Sequence, residues 1–127
     1  MSIHEVRPSA DLAPHIDAYW WSDGDGQARI VPDGCADVIF DGREPFVVGT
    51  MTRPIEARSS EGMFGIRFRP GRAALALRAP LTEITDGRAP LRDLSKRFPQ
   101  VTLHNADEAM RKVFADAHPD RRVDAAV

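Results

Sequence analysis

Residues 64–71 read Phe64-Gly65-Ile66-Arg67-Phe68-Arg69-Pro70-Gly71, and this stretch decides the fold of the chain. Its apolar side chains alternate with glycine and arginine, which is the period-two pattern of a strand with one face in a core. The final proline and glycine end the strand, because proline lacks a ladder donor and glycine turns freely. The alanine- and leucine-rich run at 72–79 then predicts a short helix. The sequence therefore predicts a strand, a sharp corner and a helix, in that order.

The composition is that of an ordinary globular domain. The 127 residues are 43% hydrophobic and 28% charged, which is enough to build one core without disulfides. A net charge of −2 argues against DNA binding by this chain itself, because such binding needs a clustered basic surface. Cys35 is the one cysteine, so no internal disulfide forms. Since no apolar run has membrane length and no signal-peptide pattern is present, we expect a cytoplasmic protein that does not contact a membrane.

Six short strands are predicted between residues 19 and 69, with a turn about every eight to twelve residues. The turn residues Asp23-Gly24-Asp25-Gly26 favour a hairpin between a strand that ends near Ser22 and the strand that follows. The later strands are predicted at 28–31, 35–40, 46–48, 51–58 and 64–68. Closely spaced short strands of this kind predict an α+β fold, in which a small antiparallel β-barrel or sandwich is followed by covering helices.

Helical patterns flank the strand region. Asp11 is suited to cap a helix that runs to about Tyr19. Leu12, Ile16 and Tyr19 would then share one face of that helix. After the strands, short helices are predicted at 81–85 and from Pro90, and a longer helix with an apolar stripe is predicted at 106–117. This last helix either closes the core or offers a face for a homodimer, and the sequence leaves both roles open.

The sequence gives little support for an enzyme. The histidines of the chain are isolated and lack the spacing of metal ligands: His4, His15, His104 and His118. Cys35 has neither a second cysteine nor a histidine close by in the sequence. A buried cysteine that acts as a small hydrophobe is the favoured interpretation, and a reactive sensor thiol is the alternative. We therefore predict no metal, no cofactor and no catalytic residue.

Asp37 and Arg67 are the best candidates for a functional site. Both lie on the non-aliphatic faces of strands that we expect in one sheet, and an unpaired buried charge costs several kcal/mol. They either form a salt bridge that tethers strands or provide the polar contacts of a pocket for a small molecule. Arg69 shares the face of Arg67 but lies at the corner. The predicted ligand-binding residues are Trp20, Cys35, Asp37, Phe40, Arg67 and Phe68.

Five blocks of sequence between residues 8 and 95 together resemble a known family. It is the uncharacterised N-terminal domain found ahead of the DNA-binding domain in a large group of AraC-type bacterial transcription regulators. The order and spacing of the blocks carry the resemblance, since each block alone is weak. Their most distinctive parts are Leu12-Ala13-Pro14, Val31-Pro32-Asp33-Gly34-Cys35-Ala36-Asp37, Thr52-Arg53-Pro54, Gly65-Ile66-Arg67-Phe68-Arg69-Pro70-Gly71 and Pro90-Leu91.

The resemblance implies a cupin-like effector-sensing and dimerisation module, followed in the full protein by two helix-turn-helix motifs that bind DNA. Residues 1–100 would form the β-barrel sensor domain, 101–119 the C-terminal helix, and 120–127 the beginning of a linker to a DNA-binding domain absent from this chain. The partners would be an unidentified small molecule and, through the absent domain, DNA. Two alternatives stay open: a stand-alone small-molecule-binding or protein-interaction module, and a degenerate cupin enzyme.

Overall fold

A six-stranded antiparallel sheet forms the centre of the structure, a computed structural model that describes residues 3–22, 26–30, 35–49, 55–59, 62–79 and 87–116. In chain order the elements are β1 (Ile3–Val6), β2 (Ile16–Ser22), β3 (Gly26–Ile30), β4 (Ala36–Phe40), β5 (Phe46–Val48), β6 (Ile55–Ser59), β7 (Phe64–Phe68), α1 (Arg72–Leu77), β8 (Arg88–Pro90), α2 (Leu91–Leu94) and α3 (Ala106–Asp116). The sheet order is β1-β2-β7-β4-β5-β8, and β3 pairs with β6 in a separate two-stranded sheet. Strand β7, which the stretch at 64–68 forms, lies between β2 and β4.

Strand β7 gives the sheet two different sides. Ile66 lies opposite Tyr19 on β2 and Val38 on β4, and these three residues belong to the main core with the helices. We call this the helix side. Gly65 and Arg67 alternate with Ile66, so they lie on the opposite side, which we call the second side. The alternation confirms the strand that the sequence predicts, with one aliphatic face and one mixed face.

The three helices pack on the helix side. The core residues that they bury are Ala73, Ala76, Leu77, Leu91, Ala106, Ala109 and Met110. Helix α1 begins after Gly71, whose φ of 80° is a conformation that glycine adopts without strain. It ends at Arg78, whose backbone N–H donates to the carbonyls of Ala74 and Leu75. The corner after β7 therefore moves the chain from the sheet into the helical layer, as predicted.

The apolar stripe of α3 lies inside the molecule. Ala106 and Met110 are 2% and 0% exposed, and Val113 and Phe114 pack against the same core. Of the two roles predicted for this helix, the structure therefore shows that it closes the core. A homodimer stays a prediction, and any contact through α3 would have to use the exposed side of the helix.

Trp20 lies against Gly65 on the second side of the sheet. A Cβ atom added at Gly65 would overlap the indole ring. Trp20 is 2% exposed, and its Nε1 donates a hydrogen bond to Asp37 Oδ2 at 2.7 Å. The ring cannot move away without losing this bond inside a packed site. Position 65 therefore requires glycine because another side chain approaches the backbone closely.

The prediction of a β-barrel is wrong, although the α+β class is confirmed. Strands β1 and β8 stand at the two ends of the sheet order, so the sheet is open. The predicted hairpin between β2 and β3 is also wrong, because β2 pairs with β1 and β7, whereas β3 pairs with β6. Short strands and frequent turns are equally compatible with an open and a closed sheet. Closure depends on which distant strands pair, and local sequence does not encode that choice.

The helix predicted from Asp11 to Tyr19 is replaced by turns followed by strand β2. The register between β2 and β7 shifts between Ile16 and Ala18, as in a β-bulge. One extra residue at the bulge places Ile16 and Tyr19 on the same face although they are three positions apart. Leu12 reaches the same core from the preceding turn. The apparent helical spacing is therefore produced by a bulged strand.

Some of the remaining elements agree with the predictions, some were not predicted, and some predicted segments lie outside the described residues. Strands β4, β5 and β7 and helices α1 and α3 are confirmed, and β6 stands at the edge of its small sheet. Strands β1 and β8 were not predicted from the sequence. The predicted helix at 81–85 and the linker at 120–127 lie outside the described residues. Within the described ranges, no helix combines the length and the apolar character needed to cross a bilayer.

We predict that Gly65→Ala destabilises the protein by about 1–3 kcal/mol, because the added methyl group would overpack the site of the Trp20 ring. Urea denaturation measures the change. In a Trp20→Leu background the same substitution should cost less, since the indole that the methyl group meets is gone. Equal costs of Gly65→Ala in the two backgrounds would contradict the close approach.

Candidate functional site

A buried carboxylate on the second side of the sheet brings together the polar residues that the sequence singles out. Asp37 is 3% exposed. Its Oδ2 accepts a hydrogen bond from Trp20 Nε1 at 2.7 Å and lies 3.7 Å from Arg67 Nε. The strand register produces this contact, because Arg67 lies directly opposite Asp37 on the neighbouring strand. The pair considered from the sequence therefore exists, and Trp20 is its third member. We call these three residues the Asp37 cluster.

The Asp37 cluster continues into a rim of charged residues. Arg67 Nη1 lies 3.0 Å from Glu5 Oε1 and 3.8 Å from Asp17 Oδ2. Asp17 Oδ1 in turn lies 3.3 Å from Arg7 Nη1 and 3.9 Å from Arg69 Nη1. Each carboxylate of this rim thus lies close to a guanidinium group from another part of the chain, so each buried or half-buried charge has an opposite charge close by. The arrangement is well suited to tether the strands to one another.

The chemistry available in the Asp37 cluster is that of an ion pair. The Asp37 carboxylate accepts a hydrogen bond from the Trp20 indole and faces the Arg67 guanidinium. The cluster contains no hydroxyl, thiol or imidazole that could act as a nucleophile or base. Among the described residues, no group of three histidine, cysteine, aspartate or glutamate side chains is placed to hold a metal ion.

The other predicted site residues lie elsewhere. Phe40 and Phe68 belong to the main core on the helix side. Cys35 is a buried free cysteine immediately before β4. Arg69 is exposed at the corner after β7, where its Nε donates to the carbonyl of Ala13 at 2.6 Å. The six predicted residues therefore do not line one shared site, and ligand binding by them stays a prediction.

A cavity of about 960 Å³ lies among the helices, between the end of α1, residues 94–100 and α3. Its apolar lining consists of Ala76, Leu77, Leu94, Phe98, Pro99, Ala109 and Val113. Its polar and charged lining consists of Arg78, Ser95, Lys96, Arg97, Gln100, Asn105, Glu108 and Lys112. We call this space the helical cavity. It combines an apolar surface with several polar groups, which is the usual composition of a small-molecule site.

Contacts with the N-terminal turns hold α3, one wall of the helical cavity, in place. Asp107 accepts hydrogen bonds from Tyr19 Oη, at 2.9 Å, and from Ser9 Oγ. Burial alone would raise the pKa of Asp107, but these hydrogen bonds lower the pKa below its ordinary value. Burial and the bond to Asp107 raise the pKa of Tyr19, so its hydroxyl stays a donor. Arg111 adds an exposed ion pair to Asp11 at 2.9 Å.

His15 packs against the far end of α3. Its imidazole stacks on Phe114, with ring centroids 4.2 Å apart and planes inclined by 12°. Its buried Nδ1 accepts no hydrogen bond from any residue that the structure describes. Burial, together with the positive charge of Arg72, lowers the pKa of His15 below its ordinary value of 6.5. The neutral imidazole is therefore the form that suits this contact.

Sequence reasoning did not identify the helical cavity. Helical spacing suggests that Leu94, Phe98 and Val113 lie on apolar stripes, but a stripe does not reveal whether a neighbouring element fills the space beside it. The sequence signal that could have indicated the site is the pair Lys96-Arg97, which follows one apolar stripe and precedes the next. The contacts of Asp107 and Arg111 with the N-terminal turns join residues about 100 positions apart, so no local pattern predicts them.

Comparison with known proteins gives one match. A family model described as "Domain of unknown function (DUF6597)" matches residues 4–90. The matched stretch includes the whole six-stranded sheet apart from Ile3, and it includes the Asp37 cluster. It ends before residues 94–113, which include most of the residues that line the helical cavity. No curated protein and no solved structure matches the chain.

We predict that Asp37→Ala destabilises the protein by about 3 kcal/mol, since it leaves the Trp20 N–H buried without its acceptor and Arg67 without its buried partner. Asp37→Asn should cost less, because an amide oxygen can still accept from the indole. Glu5→Gln is the matched control, and the loss of this exposed partner of Arg67 should cost at most about 1 kcal/mol. Guanidinium denaturation measures all three. A stability of Asp37→Ala equal to that of the unchanged protein would exclude a structural role for the cluster.

We predict that His15 makes the protein less stable as the pH falls below about 6.5, the ordinary pKa of the imidazole. Below that pH the unfolded chain binds a proton that the folded chain resists, so the free energy of unfolding decreases toward the lowered pKa of the folded state. His15→Phe keeps the stack on Phe114 and removes the proton site. Urea denaturation at pH 5.5 and 7.5 should show a smaller difference for the variant. The same difference in both proteins would show that His15 does not titrate in this way.

Proposed function

The chain belongs to the DUF6597 family of domains of unknown function, and on that premise we propose that it is the effector-sensing domain of an AraC-type transcription regulator, without catalytic activity of its own. The observation that carries the proposal is the helical cavity of about 960 Å³. The resemblance of the five sequence blocks to the N-terminal domain of such regulators supports it.

The size and lining of the helical cavity suit a small organic molecule. Sites of this kind have volumes of about 300–1,000 Å³ and combine apolar walls with a few polar groups. Leu77 and Val113 supply apolar surface from two different helices, and Phe98 supplies an aromatic ring from the segment between α2 and α3. Ser95 and Asn105 add hydrogen-bonding groups. A ligand in this space would touch α1, residues 94–100 and α3 at the same time.

A ligand that bridges these three segments would favour the arrangement in which α3 is docked. The resemblance places the DNA-binding domain after this part of the chain, so the position of α3 would influence how that domain is presented. Such coupling requires the ligand to bind one arrangement more tightly than the other. Residues from both α1 and α3 line the helical cavity, so a ligand in it would contact both helices only while α3 is docked.

The Asp37 cluster has a supporting role in this proposal. Trp20, Asp37 and Arg67 satisfy one another and tether the central strands, which keeps the sheet behind the helices rigid. With a rigid sheet, the free energy of ligand binding would change the position of the helices and not that of the strands. Direct ligand binding by these three residues stays a prediction, as do the relation to cupins and the homodimer.

We predict that a small molecule from a library of bacterial metabolites raises the melting temperature of the protein, because a ligand of the folded state stabilises it. Val113→Trp should abolish the shift by filling the helical cavity, whereas Ala115→Trp, on the exposed part of the same helix, should retain it. Ser95→Phe blocks the cavity from the opposite wall and guards against misfolding of the first variant. Differential scanning fluorimetry provides the measurement. A ligand whose effect survives both blocking variants would place the sensor site elsewhere.

The regulatory part of the proposal is tested on the product of the complete gene. If the coding sequence continues into two helix-turn-helix patterns, the same ligand should change the affinity of that product for its promoter DNA. Val113→Trp should remove the change, and Ala115→Trp should not. A ligand that binds without any effect on DNA affinity would favour a stand-alone binding module.

A further inference from the structure

The helical cavity has a charge opposite to that of the chain as a whole. Four of its lining residues are cationic and one is acidic: Arg78, Lys96, Arg97, Lys112 and Glu108. The complete chain carries a net charge of −2. Positive charge is therefore concentrated around this one concave surface, where it raises the local concentration of anions.

Three of these cations, Lys96, Arg97 and Lys112, are not neutralised by strong ion pairs within the described residues. Lys112 Nζ lies 3.8 Å from Glu108 Oε1, and both side chains are exposed, so this pair is weak and easily exchanged. Lys96 and Arg97 form no ion pair with any residue in the part of the chain that the structure describes. Both side chains are exposed, and in the sequence they follow directly after Leu94 and Ser95, which line the cavity. An anionic group at this position would be attracted to Lys96 and Arg97 without displacing a competing carboxylate.

The rest of the lining is apolar and suits a hydrophobic body. Ala109 is 8% exposed and Leu77 is 2% exposed, so these two lining residues expose little surface to water. Leu94, Phe98 and Val113 are half-buried and pack against the main core from the cavity side. Covering their remaining surface with an apolar ligand removes it from water, which is favourable in proportion to the area.

We propose that the helical cavity binds an amphipathic organic carboxylate, with its charged group at Lys96 and Arg97 and its hydrocarbon or aromatic body against Leu77, Phe98 and Val113. This inference rests on the proposed function, since it assigns the chemical class of the ligand for the same cavity. The apolar surface alone would accept a neutral molecule. Lys96 and Arg97 add the preference for an anion. The concave shape of the cavity suits a small ligand better than the flat surface of a protein partner.

Three probes of equal chain length test the charge preference: octanoate, octan-1-ol and octylammonium. Binding is followed by the amide NMR shifts of Ala109 and Val113 at low ionic strength. Octanoate should bind roughly fivefold or more tightly than octan-1-ol, because one close pair of unit charges is worth about 1 kcal/mol in water. Octylammonium should bind most weakly. Salt at about 0.5 M should reduce the differences, because it screens exposed charges.

The double variant Lys96→Gln, Arg97→Gln should bind octanoate and octan-1-ol equally, with the affinity for octan-1-ol unchanged. The matched control, Arg43→Gln, Arg92→Gln, removes the same charge from exposed positions outside the cavity and should keep the preference for octanoate. Retained affinity for octan-1-ol shows that the cavity is intact in each variant.

Each remaining outcome contradicts a definite part of the proposal. Equal binding of octanoate and octan-1-ol by the unchanged protein would exclude the carboxylate class and leave the small-molecule site standing. Absence of binding by all three probes would overturn this inference, whereas the library screen decides the proposed function separately. A preference for octanoate that the control variant also loses would reflect overall charge and not this site. Self-association that the Lys96→Gln, Arg97→Gln variant prevents, measured by sedimentation velocity, would assign the cavity to a second copy of the chain.

Discussion

The hydrogen bond from Trp20 on β2 to Asp37 on β4 crosses the strand between them, and the rest of the fold depends on it. The bond can form because Gly65 on β7 leaves room for the indole ring. Asp37 can be buried because the indole and Arg67 satisfy it. The contact fixes the register of three strands, and register decides which residues of β7 face the helices. A polar interaction on the second side of the sheet thus determines which aliphatic residues face the helices on the helix side.

The two sides of the sheet have different tasks. On the second side the charges are arranged in opposing pairs, so they stabilise one another and would gain little from an external partner. On the helix side three helices of unequal length meet over the sheet and leave a space at the end of α1. Polar residues buried in a sheet are therefore a weaker indicator of a binding site here than the junction between helices.

Local alternation is sufficient to predict the central strands and to assign their faces. Alternation along the strand at 35–40 places Ala36, Val38 and Phe40 on one side of β4 and Asp37 and Ile39 on the other, and the structure has them so. The same kind of reasoning failed at β2, because a bulge imitates the spacing of a helix. It also failed for the pairing of β3 with β6, which depends on contacts between distant residues. The cavity depends on the space between elements, and sequence periodicity reports only the face that each element buries.

The contact between Ser9 and Asp107 also has a consequence for the order of folding. It joins residues 98 positions apart, so the loop that it closes contains most of the chain. Loop closure of this length carries a large entropic cost, which favours docking of α3 after the sheet has formed. During synthesis on the ribosome, the aliphatic side of the sheet would therefore remain uncovered until α3 emerges. Uncovered hydrophobic surface of this kind favours aggregation and is the reason that chaperones exist, and the proposed ligand site in the helical cavity is complete only when the helix has docked.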